Sequence, residues 1–357
     1  MHLTPRSDLM KQKTEFVRAT EDELDFDKTA CDGFNAFMNQ YDTYDSRRHT
    51  HRFARNFWTE AEMIEIVVDA YHRTGEDRYR KIMDGLYEGF LVDWRHQEKN
   101  GWWAKNAYND DIMWMVIACA RMYLETGDRK YLNTAKINFD NAFTRAWSID
   151  LGGGLWWRTD NRTKNACVNG PGAIAACLLG TALQEKSYFE KAENLYAWER
   201  ANLYEPDTGH VDDAYPVHGE KNTWASTYNQ GTFIGMCTLL YEHSGNEQYI
   251  KDADRAANYA METMYRGEVM NNEEGGPDLP GFKGILTRWL NHFLEVHPSP
   301  QYAQWLQRNA RTAWENRSES GITGTRWAEK TRDSDKTTAW SASAAVALYQ
   351  NAPNFIE

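Results

Sequence analysis

Thr126-Gly-Asp-Arg-Lys-Tyr131 decides the fold, because versions of it recur along the chain. Thr74-Gly-Glu-Asp-Arg-Tyr79 comes before it. Gln184-Glu-Lys-Ser-Tyr188, Ser244-Gly-Asn-Glu-Gln-Tyr249 and His297-Pro-Ser-Pro-Gln-Tyr302 come after it. The tyrosines stand 52, 57, 61 and 53 residues apart, a period that marks a repeated supersecondary unit. Before the turns run dense apolar segments with small residues: 112–122, 171–183, 231–241 and 285–294. Residues 112–120 are apolar on every face, so that helix is predicted to be buried all round. After the turn the pattern becomes amphipathic: Ile250, Ala253, Ala257, Ala260, Met261 and Met264 form one stripe, away from Lys251, Asp252, Asp254 and Arg255. Each unit therefore reads as an inner helix, a tight turn and an outer helix.

A sixth inner helix fits 338–349, and an outer helix to complete the set fits within 15–40. Six pairs at about sixty residues each account for the 357 residues. The predicted fold class is all-α, an (α/α)6 barrel formed by residues 1–357 as a single domain. An open superhelix of the tetratricopeptide kind has a repeat nearer 34 residues. Strands are scarce, and residues 152–158 are expected to form a short hairpin.

Composition narrows the function. Forty Lys and Arg against 52 Asp and Glu give a net charge of −12, the reverse of what nucleic-acid binding or an anionic membrane surface favours. The longest purely apolar run, 112–120, is far shorter than the roughly 18 residues of a membrane span. Fifteen Trp, 19 Tyr and 14 Phe argue for a packed core and against disorder. Cys31, Cys119, Cys167, Cys177 and Cys237 are odd in number and form no CxxC pair, so free buried thiols are expected. The histidines are scattered without a His-Glu-x-x-His pattern, and neither metal nor cofactor is expected. The beginning of the chain has no signal-peptide character. With unpaired cysteines this suits the cytoplasm, whereas a polymeric substrate would place the protein outside it, after removal of a leader.

In a barrel of repeated hairpins the inner-helix starts converge. These starts read Asn56-Phe-Trp-Thr, Tyr108-Asn-Asp-Asp111, 165–169, Thr227-Tyr-Asn-Gln230, 278–283 and Lys336-Thr-Thr-Ala-Trp340. Capping accounts for some of their polarity but does not call for Trp, Tyr and paired amides. Asp110 and Asp111 open an otherwise apolar helix, where buried acids need a reason. Neighbours in a first turn hold carboxylates roughly 5 Å apart, the separation in retaining glycosidases. Like charges that close raise one pKa and leave the other group ionised. Aromatic side chains (Trp102, Trp103, Trp156, Trp157, Trp224, Tyr108, Tyr228) suit the C–H faces of sugar rings, and amides (Asn109, Asn165, Asn169, Asn229, Gln230) suit hydroxyls. Asp278 is placed to reach the same cleft, whereas Glu273 and Glu274 are expected to be solvated.

Tyr108-Asn-Asp-Asp-Ile-Met-Trp114, Thr126-Gly-Asp-Arg-Lys-Tyr-Leu132, Gly152-Gly-Gly-Leu-Trp-Trp157, Lys164-Asn-Ala-Cys-Val-Asn169 and Tyr228-Asn-Gln-Gly231 occur in that order. They resemble glycoside hydrolase family 76, the α-1,6-mannanases, which are (α/α)6 barrels. The resemblance implies a retaining endo-α-1,6-mannanase with Asp110 as nucleophile and Asp111 as acid/base. It also implies an α-mannan or α-1,6-manno-oligosaccharide substrate; the charge balance predicts no nucleic-acid or membrane partner, and a monomer is expected. Met115 stands where relatives often carry a second tryptophan. Mannan transglycosylation would use the same acids. A sugar epimerase would want histidines at the inner-helix starts, which carry none. A non-catalytic glycan-binding protein would have no use for two adjacent acids.

Overall fold

The recurring turn works through the chemistry of helix ends. Gly75, Gly127 and Gly245 terminate their helices at φ 68°, 73° and 68°, a left-handed conformation that side chains disfavour. Their N–H groups bond back to the carbonyls of Tyr71, Tyr123 and Tyr241. Asp128 and Asn246 follow immediately as N-caps, accepting from the amides of Lys130 and Gln248. One helix thus stops and the next begins within two residues. Gln184 takes the glycine's place at φ 57° in the third copy, and Pro300 opens the outer helix of the fifth.

The computed structural model describes residues 24–94 and 103–354. Twelve α-helices lie among them: α1 (Phe26–Tyr41), α2 (Phe57–Thr74), α3 (Asp77–Trp94), α4 (Asn109–Thr126), α5 (Arg129–Ala146), α6 (Ala166–Leu183), α7 (Lys186–Asn202), α8 (Thr227–Ser244), α9 (Glu247–Thr263), α10 (Phe282–Val296), α11 (Pro300–Glu315) and α12 (Ala339–Asn351). The even-numbered helices form a closed inner ring, each packed on the next, with α12 returning to α2. Behind them lie α3, α5, α7, α9 and α11, and α1 backs α12. This is the predicted (α/α)6 barrel.

The inner helices are buried on all sides; every residue of α12 is buried. By length and composition α6 could cross a membrane, but its faces are covered by α4, α7 and α8. The tyrosine of each repeat joins neighbouring outer helices. The Tyr131 hydroxyl donates to Asp84 of α3, that of Tyr188 to Asp140 of α5 at 2.8 Å, and that of Tyr302 to Asp254 of α9 at 2.9 Å. Tyr79 packs edge-on against Phe34 of α1, and Tyr249 against Tyr196 of α7. The repeat therefore encodes both the turn and the lateral joint.

Two loop expectations change. Residues 152–158 do not form a hairpin of their own. Leu151 and Gly152 to Gly154 all have positive φ, which turns the chain instead of extending it. Leu155 bridges to Trp147 and Arg158 to Tyr108. The short strands are β1 (Thr163–Asn165) with β2 (Ala214–Pro216), and β3 (Tyr265–Arg266) with β4 (Val269–Met270), both antiparallel. Glu273 is buried, not solvated, because its carboxylate accepts from the amide (2.8 Å) and hydroxyl of Thr227 and so caps α8. Glu274 pairs with Arg326 at the surface.

Along the barrel axis, toward the end with the tight turns, charged groups fill the interior. Arg288 meets Glu62 at 2.7 Å and Asp69 at 2.8 Å, while Arg121 meets Glu65 at 2.6 Å and Asp69 at 2.7 Å. The Asn351 amide also donates to Asp69. Such groups persist in an interior only when paired.

Candidate active site

All six inner helices begin at the opposite end, and equivalent first-turn positions supply its side chains. The second residues of α2, α4, α6, α8 and α12 are Trp58, Asp110, Cys167, Tyr228 and Trp340. Helix α10 follows a 3-10 turn (Leu279–Gly281) and contributes its first residue, Phe282. The Tyr228 and Phe282 rings lie 3.9 Å apart, and Trp58 meets Trp340 edge-on at 4.8 Å. Cys167 Sγ is 3.6 Å from Asp110 Oδ2. One turn below Asp110, buried Trp114 packs between Trp58 and Tyr228. The mouth is thus an aromatic rim interrupted by one acid-bearing helix end.

Tyr108, the residue that caps α4, offers no side-chain hydrogen bond to it. Asp110 and Asp111 occupy the first turn, where unpaired N–H groups and the helix dipole favour negative charge. Burial opposes that charge. It pushes Asp110 well above the usual carboxylate range, with the neighbouring Asp111 adding to the shift. The Trp157 indole acts in the opposite direction, although its N–H lacks hydrogen-bond geometry. Asp110 Oδ1 is buried without a partner. Asp111 is raised to about 6 by burial, against the lowering effect of a 2.9 Å hydrogen bond from Asn106 and with a smaller contribution from the charge of Asp278. Asp278 is held by the Trp58 indole N–H at Oδ1 (2.9 Å), and its backbone carbonyl accepts from Trp340 (2.6 Å).

Several residues expected at the sugar surface lie behind it. The Asn109 amide donates to the Trp156 carbonyl at 2.8 Å, and its oxygen accepts from Arg145 at 2.6 Å. Arg145 also holds the carbonyls of Ala104 and Asn106. Asn169 accepts from the Leu155 amide at 2.7 Å and donates to the carbonyls of Leu155 and Asn165. Both side chains are buried and fully engaged, so they position loops rather than line the mouth. Trp156 is also buried, with its ring under the Lys164 ammonium. Lys164 donates to the carbonyls of Ser148, Asp150 and Gly153 and so pins the glycine-rich loop. Trp157, not Trp156, faces Asp110 and packs on Tyr108.

Tyr108 is exposed and Tyr228 lines the rim. Asn165 and Asn229 are buried, each with a side-chain oxygen lacking a partner. Met115 is fully buried in the packing of α4. Trp103 belongs to the core beside Phe57 and Phe90, and Trp102 lies outside the described residues. Sequence reasoning passed over Asp213. It accepts from Asn229 (3.1 Å) and Asn222 (2.8 Å), and burial raises its pKa. The available signal was Asp212-Asp213, a second Asp-Asp pair, just before β2. Cavities of about 300 and 660 Å³ beside Asp254 and Tyr265 lie on the outer wall and include neither acid.

An (α/α)6 barrel presenting adjacent carboxylates within an aromatic rim defines a glycoside-hydrolase class of protein. The chain belongs to glycosyl hydrolase family 76, whose family model matches residues 26–355. It is similar to the GH76A α-1,6-mannanase of Salegentibacter sp. HEL1_6, at 31% identity and TM-score 0.82, covering 92% of this chain and 98% of that one. An inactive variant of that mannanase, with two consecutive aspartates changed to asparagine, is in complex with α-1,6-mannotriose. It superposes at TM-score 0.83 with 29% identity, over 92% and 98% of the two chains. The mannan endo-1,6-α-mannosidase DCW1 of Saccharomyces cerevisiae is 26% identical over 48% of this chain and 42% of its own length. Across the matching fungal relatives, the chain spans between 42% and 62% of their length.

Proposed function

We propose that the protein cleaves the α-1,6-linked backbone of mannan internally and with retention of configuration, using Asp110 and Asp111. The observation that carries this reading is the pair of neighbouring carboxylates in the first turn of buried α4, inside the aromatic rim and raised by burial. Both carboxyls are raised, and in a pair this close the titration belongs to the two groups together. The inactive double-aspartate variant of the Salegentibacter enzyme, holding an α-1,6-mannooligosaccharide, supports the same assignment.

The reaction balances with two acids and one water. Asp110 carboxylate attacks the anomeric carbon as the bond to the leaving oxygen breaks, and that oxygen takes the Asp111 proton. Water then attacks the same carbon, gives its proton to Asp111 carboxylate, and releases Asp110 from the glycosyl ester. Tyr108, Trp157, Trp58 and Trp340 supply apolar faces for sugar rings. Asn106 and Cys167 contact the pair directly, and Asp278, Tyr228, Asn165 and Asn229 are further polar groups at the mouth.

The test is digestion of unbranched α-1,6-mannan, with products sized by chromatography and their anomeric form followed by NMR. Internal cleavage with initial release of the α-anomer is expected. Asp110→Asn should abolish turnover, and Asp111→Asn should slow substrates with poor leaving groups far more than activated ones. Full activity in either variant would overturn the assignment.

A further inference from the structure

We propose that Cys167 is a positioning residue for the nucleophile: its thiol donates to Asp110 Oδ2 and orients that oxygen within the acid pair. This rests on the proposed role of Asp110. Two neighbouring inner helices supply donor and acceptor from equivalent first-turn positions: Cys167 from α6 and Asp110 from α4. The sulfur lies 3.6 Å from Oδ2. Among the described residues this is the carboxylate's one side-chain hydrogen bond, since Oδ1 is buried without a partner. Cys167 is only 5% exposed, so water does not readily substitute for it.

The direction of donation follows from the surroundings. Burial first, then the charges of Asp110 and Asp213, hold the thiol well above its ordinary range. Burial likewise raises Tyr228. The thiol stays protonated, so the sulfur donates to the carboxylate. The titratable groups facing this contact are Asp111 on α4, Asp213 from the loop before α8, Tyr228 on α8, and Asp278 acting on Asp111. Asp111 disfavours a charge on Asp110, whereas Asp213 keeps the thiol protonated and Asp278 favours the neutral form of Asp111. The thiol donor works against the repulsion from Asp111.

Sulfur suits the position. A thiol is a weak donor at long range, so it can orient Oδ2 and yet release it cheaply when that oxygen bonds to carbon. A hydroxyl would hold more tightly, and a methyl group would not hold at all.

The test compares the pH dependence of kcat/KM on α-1,6-mannooligosaccharides for the parent, Cys167→Ala and Cys167→Ser, with thermal midpoints measured alongside. Losing a donor to the ionised form raises the pKa of Asp110. The acid limb in Cys167→Ala should therefore move upward by about 0.5 to 1 in pH, while Cys167→Ser, which keeps a donor, moves no higher than the parent. An unmoved limb in Cys167→Ala, or equal movement in both variants, overturns the inference and leaves the proposed function standing. A parent that cleaves no α-1,6-mannan overturns that function instead. A second readout is independent of turnover: the Cys167 S–H stretching band, isolated by infrared difference against Cys167→Ala. It should shift to lower frequency as Asp110 ionises and lose this pH dependence in Asp110→Asn. A band indifferent to Asp110 overturns the hydrogen bond itself.

Discussion

Asn169 separates a residue that touches sugar from one that builds the site. Its side chain accepts from the Leu155 amide at 2.7 Å and donates to the Asn165 carbonyl at 2.8 Å and the Leu155 carbonyl at 3.3 Å, with no exposed surface. Truncation in Asn169→Ala leaves the buried Leu155 N–H unpaired, which costs about 1–3 kcal/mol, and removes two further hydrogen bonds worth about 0.5–1.5 kcal/mol each. The expected loss is about 2–6 kcal/mol, a large share of the roughly 5–15 kcal/mol that holds a typical domain together. A Cβ on Gly154 would stand 3.0 Å from Asn169 Oδ1, so the loop packs directly on this amide and its release should loosen Trp157. Urea unfolding followed by tryptophan fluorescence measures the cost as a lower midpoint at unchanged slope. A destabilisation below about 1 kcal/mol, together with weakened binding of α-1,6-mannotriose, would refute the reasoning and return Asn169 to the sugar surface.

Other consequences can be measured alongside. Asp278→Asn removes a negative charge that raises Asp111, so the basic limb of the activity profile should move to lower pH; an unmoved or raised limb contradicts the role given to Asp278. Gly127→Ala places a side chain at φ 73° and should cost about 1 kcal/mol, read by thermal unfolding, with activity unchanged at temperatures where the variant is folded. Burial lowers the pKa of His292, but hydrogen bonds to Glu242 and Glu295 outweigh it and bring the group to about 9. Its stabilisation, about 3 kcal/mol at most, is therefore fully present below about pH 6.5 and lost as pH rises through 9. His292→Gln should flatten the stability profile across that window, and an unchanged slope would show the pairing to be neutral.

Much of the architecture was legible because its determinants are local. A glycine in the left-handed region and an Asp or Asn cap beside it can be recognised within six residues, as at Thr126-Gly127-Asp128. The apolar run of α4 announces burial by its own composition. The acid pair was visible for the same reason, as a polar start to an apolar helix. Residues 152–158 were misread because glycine permits a hairpin and also permits the tight turning that Leu151 to Gly154 adopt. Glu273 was misread because nothing nearby in sequence predicts that Thr227 will supply its two donors.

The amides show where the division falls. That Asn109, Asn165, Asn169 and Asn229 stand at inner-helix starts followed from the repeat alone. Which polar atoms remain available was decided by segments far away in the chain. Arg145 and Trp156 occupy Asn109, Leu155 occupies Asn169, and Asp213 takes the Asn229 amide. Helix periodicity and capping are interactions between near neighbours, so a linear string carries them. Burial and the partnering of a polar group depend on loops brought together only when the ring closes, and there Trp157 came to face the acids while Trp156 turned inward.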